Sequence, residues 1–217
     1  MKLLLTSSGL TNTKIAKVLF ELTGKKPEKT TVVFIPTASN VEVGDKDWLI
    51  SDLINLKKQN FKSIEITDIS AVPEEIWRPS LERADVLFFE GGNTYYLMRW
   101  LNKSGLTELL PELLKDKVFV GVSAGSMVAG PDLDLKLSQE IYEEDMLETE
   151  ELAALNFVDF YFLPHLNSQS FKKMRKENIE KIAQAIDKTI YALDDNSALK
   201  IVDGKIEVVG EGEWFVM

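Results

Sequence analysis

Apolar residues along the chain come in short consecutive runs, KLLLT, TVVFI, VLFF and VFVGV among them, separated by longer segments in which apolar positions recur every three or four residues. The first pattern is that of strands covered on both faces and the second that of amphipathic helices, so the alternation predicts β-α units stacked on a mostly parallel sheet. Strands are expected over Lys2–Thr6, Thr31–Pro36, Ser63–Asp68, Ala84–Glu90, Lys117–Val122, Phe157–Pro164 and Thr189–Leu193. Helices are expected over Asn12–Thr23, Asp45–Gln59, Thr94–Leu101, Leu106–Lys115 and Phe171–Ala185, with a short one opening near Ala124. The tail reads differently. Ala198–Val202, Lys205–Gly210 and Trp214–Val216 are β-like, and Asp203-Gly204 between the first two is a tight-hairpin signal. A small antiparallel appendage at the sheet edge follows from it.

No internal repeat, low-complexity tract or Gly/Ser/Pro linker divides the 217 residues, so one domain spanning 1–217 is expected. With 45% hydrophobic and 28% charged residues the composition is that of a soluble globular chain. The absence of cysteine excludes disulfides, thiolate nucleophiles and cysteine-ligated metal sites. Thirty-five acidic against 25 basic residues give a formal charge of −10, a sign that repels phosphate backbones and argues against a nucleic-acid partner. MKLLLTSSGL is too short in apolar residues for a signal-peptide core, and no stretch approaches a membrane span. A cytoplasmic protein without membrane attachment is the expectation, and a homodimer through a sheet edge stays open.

The chemistry begins at Gly121-Val122-Ser123-Ala124-Gly125, which fits G-x-S-x-G at the carboxyl end of a buried strand with a helix to follow. A nucleophilic serine needs a sharp turn that lifts its Oγ above the sheet, and small neighbours permit that turn. The helix that follows points its first N–H groups at the same spot, so the Ala124 N–H is a natural oxyanion donor. The chain has a single histidine, His165, in FLPHLN at the end of another expected strand. Ligands in open α/β sheets bind outside the carboxyl ends of strands, so both residues are expected at one rim, with His165 as the base for Ser123. One histidine cannot make a His-rich metal site, and neither a catalytic metal nor a cofactor is expected. In FFEGGNT a strand ends in paired glycines, and the Gly92 N–H is the best second oxyanion donor. Thr6-Ser7-Ser8-Gly9 leaves the first strand and is placed to contact a ligand, although a loop with an N-cap is the better account of it.

GVSAGSMVAGP, preceded by EGGNTYYL and followed by FLPH, resembles the dipeptidase E family of serine peptidases, whose relatives include aspartyl dipeptidases and cyanophycinases. The resemblance covers nearly the whole chain and implies a three-layer α/β sandwich of the class I glutamine amidotransferase-like type, with serine where the amidotransferases carry cysteine. It makes Ser123 the nucleophile and His165 the base, assigns the oxyanion hole to Gly92 and Ala124, and puts Arg175 at the substrate, holding an aspartate side chain; Asn93, next to Gly92, is expected at the substrate as well. It also implies an acid between serine and histidine. The matching place falls on Ser138, which is no acid; Glu140 stands two residues on, with Asp132 and Asp134 as alternatives. The reaction so implied is hydrolysis of small peptides, dipeptides with a free N-terminus, through an acyl-enzyme. Two rivals stand beside it: a carboxylesterase on an α/β-hydrolase fold, disfavoured by the β-α-β tail after His165, and a binding module in which Ser123 is inert.

Overall fold

A computed structural model of the chain describes residues 1–133, 138–142 and 153–217. Its central sheet has seven strands in the order β3-β2-β4-β5-β1-β8-β9, where β1 is Lys2–Thr6, β2 Thr31–Ile35, β3 Ser63–Ile66, β4 Val86–Phe89, β5 Val118–Val122, β8 Ser197–Val202 and β9 Lys205–Gly210. β1 to β5 run parallel; β8 pairs antiparallel with β1, and β9 with β8.

Alternate residues of the buried strands feed two separate cores. Leu3, Leu5, Val33, Ile35, Leu87, Phe89 and Phe119 face one way, and Leu4, Val32, Phe34, Val86, Phe88 and Val120 the other. The first face is covered by α3 (Glu74–Arg83), α4 (Thr94–Lys103) and α5 (Leu106–Leu113), through Trp77 and Leu81, Leu97 and Leu101, and Leu106 and Leu110. The second is covered by α1 (Thr13–Thr23) and α2 (Asp47–Lys58), through Ile15, Leu19 and Leu56. This is the expected three-layer sandwich, and the apolar continuity of the strands follows from burial on both faces. The Asp203-Gly204 turn, at φ 49° and 80°, makes the expected hairpin of β8 and β9.

Three features depart from expectation. Strands β6 (Phe160–Leu163) and β7 (Thr189–Leu193) do not join the main sheet; with β10 (Trp214–Val216) they form a second, three-stranded sheet in the order β10-β7-β6. β10 thus pairs with β7 and not with the hairpin. The last helix, α7, begins only at Lys176 and runs to Ala183, because residues 171–175 turn back on themselves. α3 carries Pro79 in its interior and buries only Trp77 and Leu81 as large apolar residues, so its amphipathic signal is faint. Among the described residues no helix is long and apolar enough to cross a membrane.

Candidate active site

The end of β5 and the short helix α6 (Ala124–Met127) are joined by Ser123 at φ 48°, ψ −112°, a region that L-residues rarely occupy. The glycines around it are required by contact. A Cβ on Gly121 would overlap the Gly125 carbonyl, and one on Gly125 would overlap the carbonyl of Phe89 in the neighbouring strand. The turn is further fixed by Ser126, whose Oγ accepts from the Thr6 N–H and donates to the Thr6 carbonyl, both at 2.9 Å.

His165 leaves β6 at φ 68°, again a left-handed residue, and its Nε2 lies 2.9 Å from Ser123 Oγ. Its Nδ1 lies 2.6 Å from Asp195 Oδ1. Hydroxyl, imidazole and carboxylate are therefore linked in one line, drawn from the main sheet (Ser123), from the small sheet (His165) and from the connection between β7 and β8 (Asp195). Burial alone would raise the Asp195 carboxyl; the hydrogen bonds from His165 and Ser8 and the His165 charge outweigh it and hold the group below its ordinary value.

The supports are local. Ser8 donates to Asp195 Oδ1 at 2.9 Å, and Ser7 Oγ accepts from the His165 N–H at 3.3 Å while donating to the Leu193 carbonyl. Asp194 ties the turn together by accepting from the Asn196 and Glu213 N–H groups and the Ser197 hydroxyl, which leaves Asp195 for the histidine. The Phe171 ring stacks on the imidazole at 4.4 Å and 10°, and Tyr142 meets Phe171 edge-on. Since an imidazole is useful only in the orientation that serves both nitrogens, this stacking restricts the ring as the carboxylate does.

A cavity of about 590 Å³ opens over these groups and is lined by Ser123, His165, Gly91, Gly92, Trp48 and Phe171 among others, a volume suited to a small ligand. A Cβ on Gly91 would come within 3.2 Å of Ser123 Cβ, so the paired glycines bring backbone against the serine. Ala124 opens α6 and Gly92 sits at φ 127°; neither N–H has an acceptor among the described residues.

Several expected residues have other occupations. Glu140 is exposed on the turn of π-helix Ser138–Tyr142, and the carboxylate on His165 is Asp195; the acid lies beyond the histidine in sequence, because the β7–β8 connection returns to the imidazole. Asp132 accepts from the Tyr161 hydroxyl at 2.6 Å, and Asp134 lies outside the described residues. The Arg175 guanidinium donates to the carbonyls of Ser168, Phe171 and Met174, holding the 168–175 turn that lays Phe171 over His165; it does not line the cavity and is no free clamp for a carboxylate. Asn93 borders the cavity, but its side-chain oxygen caps α4 by accepting from the Tyr96 N–H at 2.8 Å. Sequence reasoning missed Asp195, Ser7, Ser8 and Phe171. A usable signal existed for the acid: Asp194-Asp195 follows an expected strand at the same rim.

The sequence profile of peptidase family S51 matches residues 3–209. The chain belongs to that family. It is a serine-type peptidase and acts on peptides. An uncharacterised peptidase of Pasteurella multocida is 26% identical over 184 residues, covering 84% of this chain and 86% of that one. Peptidase E of Shewanella oneidensis is 32% identical over 137 residues, 63% of this chain and 53% of that one. A crystal structure of a Listeria monocytogenes protein provisionally named as a peptidase E superposes with a TM-score of 0.77 at 26% identity, covering 97% and 98% of the two chains. A peptidase from an acI-B1 Actinobacterium shares the fold, with a TM-score of 0.69 at 21% identity over 98% of this chain and 88% of that one.

Proposed function

We propose that this S51 peptidase hydrolyses dipeptides and other small peptides in the cytoplasm as a single 217-residue domain, with Ser123 as nucleophile, His165 as general base and acid, and Asp195 as the group that orients the imidazole. The observation that carries the reading is the continuous line from Ser123 Oγ through His165 to Asp195, at 2.9 and 2.6 Å. Ser123 Oγ attacks the scissile carbonyl carbon as its proton moves to His165 Nε2. The oxyanion so formed is met by the Gly92 and Ala124 N–H groups, neither of which has another acceptor among the described residues. When the C–N bond breaks, His165 returns the proton to the departing amine. Water, deprotonated by the same nitrogen, then attacks the acyl-enzyme and frees Ser123. Asp195 keeps the tautomer that leaves Nε2 free to accept and stabilises the imidazolium.

The test is intact-mass labelling with a fluorophosphonate at neutral pH, beside hydrolysis of a mixed dipeptide pool. The natural chain is expected to take one adduct and cleave the pool, and Ser123→Ala and His165→Ala to do neither. A natural chain that is neither labelled nor active, or an adduct that persists in Ser123→Ala, overturns the assignment.

A further inference from the structure

Two buried carboxyls in the cavity wall take no part in the relay. Glu90, the residue after β4, is 0% exposed, and neither of its oxygens has a hydrogen-bond partner. Its polar neighbours, the Asp52 carboxyl and the Gly91 N–H, are close without meeting hydrogen-bond geometry. Asp52 comes from α2 and is 8% exposed, and its Oδ1 lies 3.0 Å from where a Cβ on Gly9 would stand. Buried polar groups are nearly always paired, and one proton held between the two carboxyls still leaves oxygens without a donor, so the pair has room for a donor from outside the chain.

The character of the donor follows from the surroundings. Glu42, Asp52, Glu90 and Asp195 all border the cavity, whereas no Lys or Arg does among the described residues. Among those residues, no group of three or more His, Asp or Glu is assembled as for a metal ion. An ammonium brings one positive charge and three directed N–H donors. Position agrees, because in a peptide with a free N-terminus the α-ammonium is attached to the carbon next to the first carbonyl. A seat for it must lie beside the nucleophile, and Glu90 adjoins Gly91, the glycine that packs on Ser123.

We infer that the Glu90–Asp52 pair receives the protonated amine of a peptide's first residue, and that the acidic cavity rejects peptides beginning with Asp or Glu. The inference rests on the peptidase reading of Ser123 and narrows its substrates to peptides with a free amine and a neutral or basic first residue. Charge supports it: burial and the neighbouring Asp52 push Glu90 well above the usual carboxylate range, while burial and the Asp195 charge lift Asp52 to about 7, the adjoining Glu90 carboxyl moderating the rise. At neutral pH the pair therefore keeps a proton while offering negative charge to a cation.

The experiment measures kcat/KM for Ala-Leu, Lys-Leu, Asp-Leu and N-acetyl-Ala-Leu with the natural chain, Asp52→Asn and Glu90→Gln. A lost hydrogen bond to a charged group corresponds to a factor of about 10–100. The natural chain is expected to cleave Ala-Leu and Lys-Leu at least about tenfold better than Asp-Leu and N-acetyl-Ala-Leu. Both variants should lose about 10–100-fold on the free-amine substrates, chiefly in KM, and so lose the discrimination. Asp-Leu cleaved as well as Ala-Leu, indifference to acetylation, or variants that slow all four substrates equally would each overturn the inference. Fluorophosphonate labelling separates the two readings: a labelled enzyme indifferent to the amine sinks only this one, and an unlabelled, inactive chain sinks both. Calorimetric titration of Ser123→Ala with L-alaninamide and N-acetyl-L-alaninamide reads the seat without turnover. Binding of the first alone is expected; equal binding of the two, or of neither, counts against it.

Discussion

Ser123 and His165 both hold backbone angles that most side chains avoid, at φ 48° and 68°, each costing on the order of 1–3 kcal/mol. That cost persists because close neighbours fix both turns, and its effect is to bring Oγ and Nε2 to hydrogen-bonding distance before any substrate arrives. Asp195→Asn keeps the shape but favours the wrong tautomer, so kcat should fall by about 10²–10⁴ with KM little changed, while Glu140→Gln should leave kinetics as they are. Steady-state assays of the two variants decide which acid is in use. Ser8→Ala removes one hydrogen bond from Asp195, and a milder loss, about tenfold, is expected in the same assay. Asp52 gives a pH-dependent prediction. Its folded-state value of about 7 lies above the ordinary 3.8, so the folded chain binds the extra proton and loses stability as pH rises through that window. At ~1.4 kcal/mol per pH unit the cost at pH 8 is at most ~4 kcal/mol, shared with Glu90. Asp52→Asn should therefore raise the Tm at pH 8 and change it little near pH 4, as thermal melts at both pH values will show.

Elements differed in how clearly the sequence announced them. The inner parallel strands β1, β2, β4 and β5 are buried on both faces, so their apolar runs are continuous and their ends were readable to within a few residues. Helix α3 was missed because Pro79 and a charged surface mask a two-residue apolar stripe, Trp77 and Leu81. The G-x-S-x-G turn was legible because its glycines answer steric demands of the turn itself, as did the histidine by being single. Asp195 was not, since nothing local in Asp194-Asp195 says which carboxylate will face an imidazole from another sheet. The aromatic at residue 171 was hidden for a related reason: periodicity assigned it to a helix, whereas the Arg175 guanidinium gathers the preceding carbonyls and folds that segment into a turn. The strand-to-helix glycines make the sharpest element-level test. Gly125→Ala drives a methyl against the Phe89 carbonyl and should destabilise the fold by about 1–3 kcal/mol or more in urea titrations. In Gly91→Ala the methyl meets the Ser123 side chain instead, so activity should fall further than stability.

The molecule as a whole carries a charge of −10, and the cavity shares its sign. Electrostatic attraction of cations weakens with ionic strength, so kcat/KM for Lys-Leu should decline between about 10 and 200 mM salt, with Asp-Leu moving the opposite way. The reacting line spans two sheets, and the short stretch from Leu193 to Ser197 that carries Asp195 is also one of the chain's passages between them. A displacement of ~1 Å in a reacting group can cost about a hundredfold in rate. The crossing therefore behaves as an alignment gauge: a slight slip between the sheets, too small to register as lost secondary structure, silences the enzyme.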